Sequence, residues 1–375
     1  MLPLSTDIRF GDEQAMLLET AVAFCRDKSP VAAVRRQIDT EHGFDRALWD
    51  ELVGLGWTGI AVPAPYGGSG LTLAEVATIV EPMGRHLLAT PYVSTQLFTQ
   101  ALLAGGDEAT KTAWLPRVCQ GAIGTVALHE PHGDWDLAHI DTRAQRDGDT
   151  LVLQGDKTLV GDAAVADVLL VSCTLDGAPA LALVPAAHLP AERRRRETVI
   201  DETRRVYALH LDGQRVPAAG LIHGAAAHAA LRAVRDTALL LASAEAAGGI
   251  AAALDTIVDY LNLRTTFGRK IGSYQSLKHP CAEILMGLER TRSHVAHAAT
   301  LMGAGADAEV ALRMAKTEAG DDYVFAGDRA VQFHGGFGFT FECDAQLHLR
   351  RALWLQHCHG DAAHHRRRLA DLLLG

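Results

Sequence analysis

A run of Ala- and Leu-rich sequence that begins near Ala229 constrains this chain most, because its period predicts a single helix of about thirty residues. The run leads into the segment RTTFGRKIGSYQSLKH at 264–279. Arg264 and Phe267 are therefore expected at the C-terminal end of that helix. The glycines of the segment permit a turn, and Ser273 is a residue type that caps a following helix. The sequence predicts a helix–turn–helix corner here.

The side chains at this corner suit an anionic and partly aromatic ligand. A guanidinium such as that of Arg264 pairs with phosphate, Phe267 can stack on a ring, and Gln275 can donate or accept hydrogen bonds. A dinucleotide has these properties. A second segment, QFHGGFGF at 332–339, lies about sixty residues downstream and lets a backbone approach a ligand closely.

The two segments resemble the FAD-contacting signatures of the acyl-CoA dehydrogenase family, R-x-x-F-G-x-x-I-x-x-x-Q and Q-x-x-G-G-x-G-[FY]. In that family the first segment binds the ADP half of a flavin that a neighbouring subunit mainly holds. The alternative is that they form only a turn and a loop between helices. The resemblance implies FAD as cofactor and assigns its binding to Arg264, Phe267, Gln275, Gln332, Gly335 and Gly336.

The period of the apolar residues changes twice along the chain. Helical spacing, for example at 13–25 and 45–55, gives way after Gly121 to short β-branched runs, and helical spacing returns near residue 224. This order predicts an α+β protein with an N-terminal helical domain (1–121), a small antiparallel β domain (122–222) and a C-terminal four-helix bundle (223–375). The same order is typical of the acyl-CoA dehydrogenase fold.

Composition excludes several classes of function. A net charge of −10 argues against a nucleic-acid binder. The run ERRRRE at 192–197 is an exception that we expect to be a solvated loop. No apolar run long enough to span a bilayer and no signal peptide is apparent. Six cysteines without a CxxC pair fit reduced thiols, so the expected location is the cytoplasm.

The β region departs from the family pattern. The motif T-E-P-x-x-G-S-D reads HEPHGDWD at 129–136, and K-x-W-I-T reads KTLVG at 157–161. In the family these segments meet the flavin ring, so an aromatic wall and a hydroxyl donor are missing. Such a site should hold flavin less well. The pattern fits a subunit that lends half a site to a different chain.

The catalytic base that the resemblance implies is also displaced. His359, Gly360 and Asp361 stand at the usual position of the glutamate, and the commonest alternative position holds Ala238. Glu245 follows seven residues later on nearly the same helix face, within an apolar stretch. A-E-x-x-G also resembles divergent, steroid-catabolising members of the family.

Glu245 has two interpretations, which the sequence leaves open. It is either the base that removes the α proton of an acyl thioester or a structural carboxylate paired across the bundle with an arginine such as Arg290 or Arg292. His359 is a further candidate base. The histidines around it match no ordinary zinc spacing, so no metal site is predicted.

Three functions follow as hypotheses. The first is an FAD-dependent acyl-CoA dehydrogenase subunit acting on a bulky acyl-CoA, with a related subunit in a heterotetramer or as a homo-oligomer. The second is a catalytically silent companion that completes the partner's FAD site. The third is a flavin monooxygenase or oxidase on the same fold. The resemblance implies an electron-transfer flavoprotein as electron acceptor, and neither nucleic acid nor membrane is expected as a partner.

Overall fold

Helices make up most of the chain on both sides of a central β region. The computed structural model describes residues 11–137 and 139–375. The helices are α1 (Asp12–Lys28), α2 (Val31–Ile38), α3 (Arg46–Gly54), α4 (Leu73–Arg85), α5 (Tyr92–Gly105), α6 (Glu108–Cys119), α7 (Ala225–Leu263), α8 (Gln275–Gly303), α9 (Glu309–Phe333), α10 (Ala345–His357) and α11 (Ala362–Leu374). The long predicted helix is confirmed as α7.

The strands lie between α6 and α7, apart from one short hairpin further on. They are β1 (Gly124–Ala127), β2 (Arg143–Asp147), β3 (Thr150–Gln154), β4 (Asp156–Gly161), β5 (Val168–Leu175), β6 (Ala178–Pro185), β7 (Arg194–Glu197), β8 (Val206–His210), β9 (Gln214–Pro217), β10 (Ile222–His223), β11 (Thr265–Thr266) and β12 (Arg269–Lys270). The predicted order of helices, strands and helices is confirmed. The three predicted domain boundaries stay a prediction.

The sheets are mixed. The larger sheet has the order β10-β6-β5-β2-β3-β9, with β1 also paired to β5, and a second sheet has the order β4-β8-β7. Both β1 and β2 run parallel to β5. The prediction of a purely antiparallel domain is therefore wrong in part, because a period of two identifies strands but not their direction.

The run at 192–197 is not a loop. Its last four residues form β7, which pairs antiparallel with β8 at the edge of the smaller sheet. Charged side chains are common on edge strands because they discourage pairing with another chain. The arginines gave the run the composition of a loop although it is a strand.

Helix starts follow the capping residues in part. Asp107 is the N-cap of α6. Its carboxylate accepts a hydrogen bond from the backbone N of Thr110 at 2.7 Å. The predicted cap at Ser273 is wrong. Its hydroxyl donates to the carbonyl of Lys270 at 2.7 Å, and α8 begins at Gln275 without a side-chain cap.

The chain forms two compact units, which are described separately. The first comprises the described residues up to Arg36 with Leu73–Leu88 and Leu239–Gly375; the second comprises Gln37–Thr72 and Ala89–Ala238. Each has its own apolar core. The core of the first includes Ile250, Ile257, Leu288, Tyr323 and Leu355. The core of the second includes Val62, Phe98, Leu102, Leu170 and Leu181.

Two glycines let α4 and α7 touch backbone to backbone in the first unit. A Cβ at Gly84 would overlap the carbonyl oxygen of Glu245, and a Cβ at Gly248 would overlap that of Glu81. Both positions accept glycine alone without a shift of a helix. This contact fixes the part of α7 that carries Glu245.

Contrary to the expectation from the sequence, α7 contains an apolar run long enough to cross a bilayer. One 18-residue window of this helix has a mean hydropathy of 1.6, and 94% of that window is buried inside the protein. Burial of this kind is what a core helix shows, so length and composition are weak evidence for a membrane span.

Candidate functional site

The first predicted cofactor segment folds as a hairpin after α7. Leu263 ends the helix, and β11 pairs with β12 across a turn that contains Phe267. Phe267 has φ +53° and is 91% exposed. The prediction that Phe267 ends the helix is wrong, because the chain leaves the helix at Arg264 and turns back on itself. The hairpin presents its aromatic ring to solvent.

The second segment packs against the helix that leads into the first. Gln332 lies near the end of α9, and Gly335–Phe339 forms a 3₁₀ turn. The His334 ring stacks on Tyr260 of α7, with centroids 4.2 Å apart. The second segment therefore contacts α7 four residues before Arg264. Sequence reasoning missed this pair, since neither residue belongs to the quoted motif positions.

The polar members of the predicted set have no partners within the described chain. The side chains of Arg264, Gln275 and Gln332 are exposed, and none forms a hydrogen bond or ion pair with another described residue. Gly336 is exposed, is not left-handed, and has nothing within 4 Å of a built Cβ. No described residue would be met by a Cβ at Gly336. This surface therefore suits a group that approaches from outside.

Glu245 forms a buried ion pair. It is 5% exposed on α7, and its Oε1 accepts a hydrogen bond from the Nη1 of the fully buried Arg351 on α10. The predicted pairing of Glu245 with an arginine is thus present, but the suggested partners Arg290 and Arg292 are wrong. Arg290 instead pairs with Glu318 and Asp322, and Arg292 pairs with Glu81 and Glu289. The role of Glu245 as a catalytic base stays a prediction.

The proposed alternative base, His359, lies in the turn between α10 and α11. It is half-buried and has φ +59°, in the left-handed region that favours glycine. The buried Lys316 grips this turn, because its Nζ donates to the carbonyls of Gln356 at 3.0 Å and Gly360 at 2.9 Å. Nothing in the sequence marked Lys316, whose partners are backbone atoms about forty residues away.

His365 makes the first unit sensitive to acid. Burial, together with the nearby charges of Lys316 and Arg313, lowers the pKa of His365 to about 3. Between pH 6.5 and 3 the unfolded chain binds a proton there that the folded chain does not, so the free energy of unfolding falls as the pH falls. We expect a loss of about 2 kcal/mol between pH 7 and pH 5 from this residue. Urea unfolding of the wild type and His365→Asn at both pH values measures it.

The matched control for this measurement is His42→Asn, because His42 is exposed. That variant should keep the wild-type dependence on pH, whereas His365→Asn should flatten it. An equal dependence in all three proteins would contradict the assignment to His365.

In the second unit, the segment that departs from the family pattern at 129–136 contains a buried charge network. Glu130 accepts hydrogen bonds from Lys157 Nζ at 2.6 Å and from the backbone N of Asp141 and Thr142. Lys157 also donates to Ser172 at 2.8 Å. Burial raises the pKa of Glu130, but these donors outweigh it and hold the pKa at about 2. The network is structural, and the pairing of Glu130 with Lys157 was not anticipated.

The segment KTLVG at 157–161 also has an internal partner. The carboxylate of Glu197 on β7 accepts from the Thr158 hydroxyl at 2.9 Å and from the backbone N of Leu159 at 2.8 Å. Leu159 has φ +53°, and the strand register shifts at this point. The hydroxyl of Thr158 is thus committed within the chain.

Comparison with known proteins decides the family. The profile for the acyl-CoA dehydrogenase N-terminal domain matches residues 11–122, and that for the C-terminal domain matches residues 224–374. The acyl-CoA dehydrogenase FadE12 of Mycobacterium tuberculosis is 31% identical over 80% of this chain and 81% of its own length. The chain belongs to the acyl-CoA dehydrogenase family. The first resemblance in the sequence is thereby confirmed.

Two further relatives cover more than nine-tenths of this family member. IpdE2 of Mycolicibacterium smegmatis is 29% identical over 91% of this chain and 93% of its own. A structure described as the Tcur3481-Tcur3483 steroid ACAD G363A variant is 28% identical, has a TM-score of 0.87 and covers 97% of this chain and 98% of its own. These matches confirm the predicted fold class.

The family implies FAD, and the surface at 264–275 and 332–336 fits it. An unpaired guanidinium, two amides and an unobstructed glycine are the donors and the space that a dinucleotide needs. The assignment of individual residues to FAD stays a prediction.

Proposed function

We propose that this chain is a subunit of an FAD-dependent acyl-CoA dehydrogenase that acts on a bulky, steroid-like acyl-CoA together with a related chain. One observation carries the proposal: the predicted ADP-side residues Arg264, Gln275 and Gln332 are exposed and unpaired among the described residues. When bound, FAD supplies the acceptor for the hydride from the β carbon. The protein's part is to bind and orient it through this surface.

The weakened ring-side pattern supports a heteromer. Thr158, in the segment whose family counterpart faces the flavin ring, gives its hydroxyl to Glu197 within the chain. A chain that keeps an ADP-side surface and has few ring-side groups is suited to completing a site with a partner. The similar structure is described as the Tcur3481-Tcur3483 steroid ACAD G363A variant. That description names two components and the word steroid. Both points are consistent with a heterotetramer and a steroid-like substrate.

The electron acceptor and the location follow from the family resemblance and the thiols. We propose that an electron-transfer flavoprotein accepts the electrons from this dehydrogenase. The six cysteines are free, as expected of a cytoplasmic protein.

A catalytically silent companion is the second candidate, and the Glu245–Arg351 pair favours it. A carboxylate committed to a buried guanidinium is already used for structure. Glu245→Gln in the assembled complex discriminates the two. Unchanged turnover would show that Glu245 is not the base, whereas loss of turnover with intact FAD content would support catalysis.

The first experiment is a visible flavin spectrum of this chain alone and after co-expression with an acyl-CoA dehydrogenase-like partner. We expect a colourless chain that becomes yellow only in the complex, with one FAD for each pair. One FAD per chain without a partner would contradict the shared site and indicate a homomeric enzyme. Anaerobic turnover with an artificial electron acceptor separates a dehydrogenase from an oxygenase, which would be silent.

Gly336→Val is expected to lower the FAD content of the complex at least roughly tenfold, because a side chain there occupies space for the approaching group, while its Cβ has no described atom within 4 Å. The ratio of flavin absorbance to protein, measured after gel filtration, reports the loss. The thermal midpoint should stay within about 2 °C of the wild type.

Two variants make this result specific. Gly54→Ala, at another open and exposed position, should change neither quantity. Gly338→Ala places a Cβ against the Val331 carbonyl oxygen and should lower the thermal midpoint. Full FAD content in Gly336→Val would remove Gly336 from the cofactor surface.

A further inference from the structure

A cluster of imidazoles and carboxylates lies on the loop between β1 and β2. One potential ligand atom from each of His132, Asp134 and His139 lies within 4.8 Å of the others. The imidazole rings of His132 and His139 are neighbours, with centroids 4.7 Å apart, and are tilted by 35° to each other. His139 Nδ1 is 2.9 Å from Asp134 Oδ2, and His132 Nδ1 is 3.3 Å from Asp141 Oδ2. Three side chains of metal-ligating type therefore converge, and Asp141 lies beside one of them, His132.

The loop is closed at its base by the buried network. Glu130 stands at its start, and the Glu130 carboxylate accepts from the backbone N of Asp141 at 2.7 Å and of Thr142 at 2.8 Å. Lys157 also donates a hydrogen bond to this carboxylate. The cluster therefore sits on a short loop whose two ends are fixed to each other, which reduces the entropy lost when ligands gather around an ion.

The charges of the cluster favour a cation. Lys157 balances Glu130, whose oxygens already accept three hydrogen bonds, so Glu130 is not counted as a ligand. Asp134 and Asp141 remain as two carboxylates beside two imidazoles. Two imidazole nitrogens with carboxylate oxygens suit zinc and its neighbours, whereas Mg²⁺ and Ca²⁺ prefer oxygen alone.

We propose that His132, Asp134 and His139 bind one divalent transition-metal ion of the zinc class, and that the neighbouring Asp141 moves towards the ion as its fourth ligand. Ligand atoms around tetrahedral zinc are about 3.3 Å apart, so the three atoms that lie within 4.8 Å of one another need to approach by about 1.5 Å at most. The side chains are on the surface, where such a movement costs little packing. This site differs from the sequence-based expectation of no metal, which considered only the histidines near His359.

The test is calorimetric titration of ZnCl₂ into the untagged full-length chain after treatment with a chelator. We expect one Zn²⁺ for each chain. His139→Asn and Asp134→Asn should each weaken binding by more than about 100-fold, beyond what loss of an outer-shell partner costs. The matched control is His210→Asn, because His210 forms an exposed pair with Asp156 at 2.8 Å much as His139 does with Asp134. This control should keep the wild-type affinity.

Co²⁺ gives a second measurement that needs no variant. Bound at this site, Co²⁺ should show the intense visible absorption of a four-coordinate ion, and Zn²⁺ should displace it. No Zn²⁺ binding, equal losses in His139→Asn and His210→Asn, a spectrum of hydrated Co²⁺, or equal binding of Mg²⁺ would each overturn the proposal.

Discussion

Arg351→Met is expected to lower the free energy of unfolding of the first unit by about 3–5 kcal/mol, because it removes the guanidinium that pairs with the buried Glu245 carboxylate. Arg351 is fully buried and Glu245 is 5% exposed, so water cannot replace the guanidinium without opening the core. Urea unfolding followed by circular dichroism at pH 7 measures the change.

Two variants show that burial rather than charge pairing as such causes this loss. Glu245→Leu combined with Arg351→Met removes both charges and should recover most of the stability. Asp255→Asn breaks the partly exposed pair with Arg85 in the same unit and should cost no more than about 1 kcal/mol. A cost below about 1 kcal/mol for Arg351→Met would mean that the pair does not stabilise the unit.

Lys157→Met should cost a similar amount, about 3–5 kcal/mol, but in the second unit. It leaves Glu130, 3% exposed, with the backbone donors of Asp141 and Thr142 and with His132, whose Nδ1 is 3.7 Å from Glu130 Oε2, but without an ammonium partner. Since Glu130 has a pKa of about 2 in the folded chain, the stability it contributes is present above pH 4.5 and is lost as the pH falls towards 2. Unfolding of the variant and wild type at pH 7 and pH 3.5 measures both effects.

The control for Lys157→Met is Asp156→Asn, which breaks an exposed pair with His210 one residue away. It should change the free energy of unfolding by less than about 1 kcal/mol. If the two variants were equally stable, the Glu130 network would not be the source of the stability. Wild-type dependence on pH in Lys157→Met would lead to the same conclusion.

Local patterns in the sequence carried the architecture. The helical period gave α7, and β-branched runs gave β3, β5, β6 and β8, because each depends on neighbours within a few residues. Strand direction, the edge strand β7 and the hairpin at Phe267 were not predictable in this way. They depend on pairing with distant segments, which a single sequence does not show.

The candidate site shows the same division. Exposure of Arg264, Gln275 and Gln332 agrees with a binding role that the motifs suggested. The partner of Glu245 was not predictable, because Arg351 lies 106 residues away and many arginines were equally eligible. The residues of the proposed metal site all occur between 132 and 141 in the sequence. Their convergence was not predictable, because it depends on the hydrogen bonds by which Glu130 closes the loop.

The first unit is assembled from segments far apart in the chain, and this has a consequence for its biosynthesis. α4 meets α7 through Gly84 and Gly248, yet more than 150 residues are made between them. While the chain is synthesised, α1 and α4 leave the ribosome before α7 to α10. The apolar faces that α1 and α4 bury against these later helices therefore stay exposed to solvent during this interval. Contacts of such sequence separation slow folding and expose surfaces that aggregate. Yield in a cell should therefore depend on chaperones during this interval more than on the final stability of the folded protein.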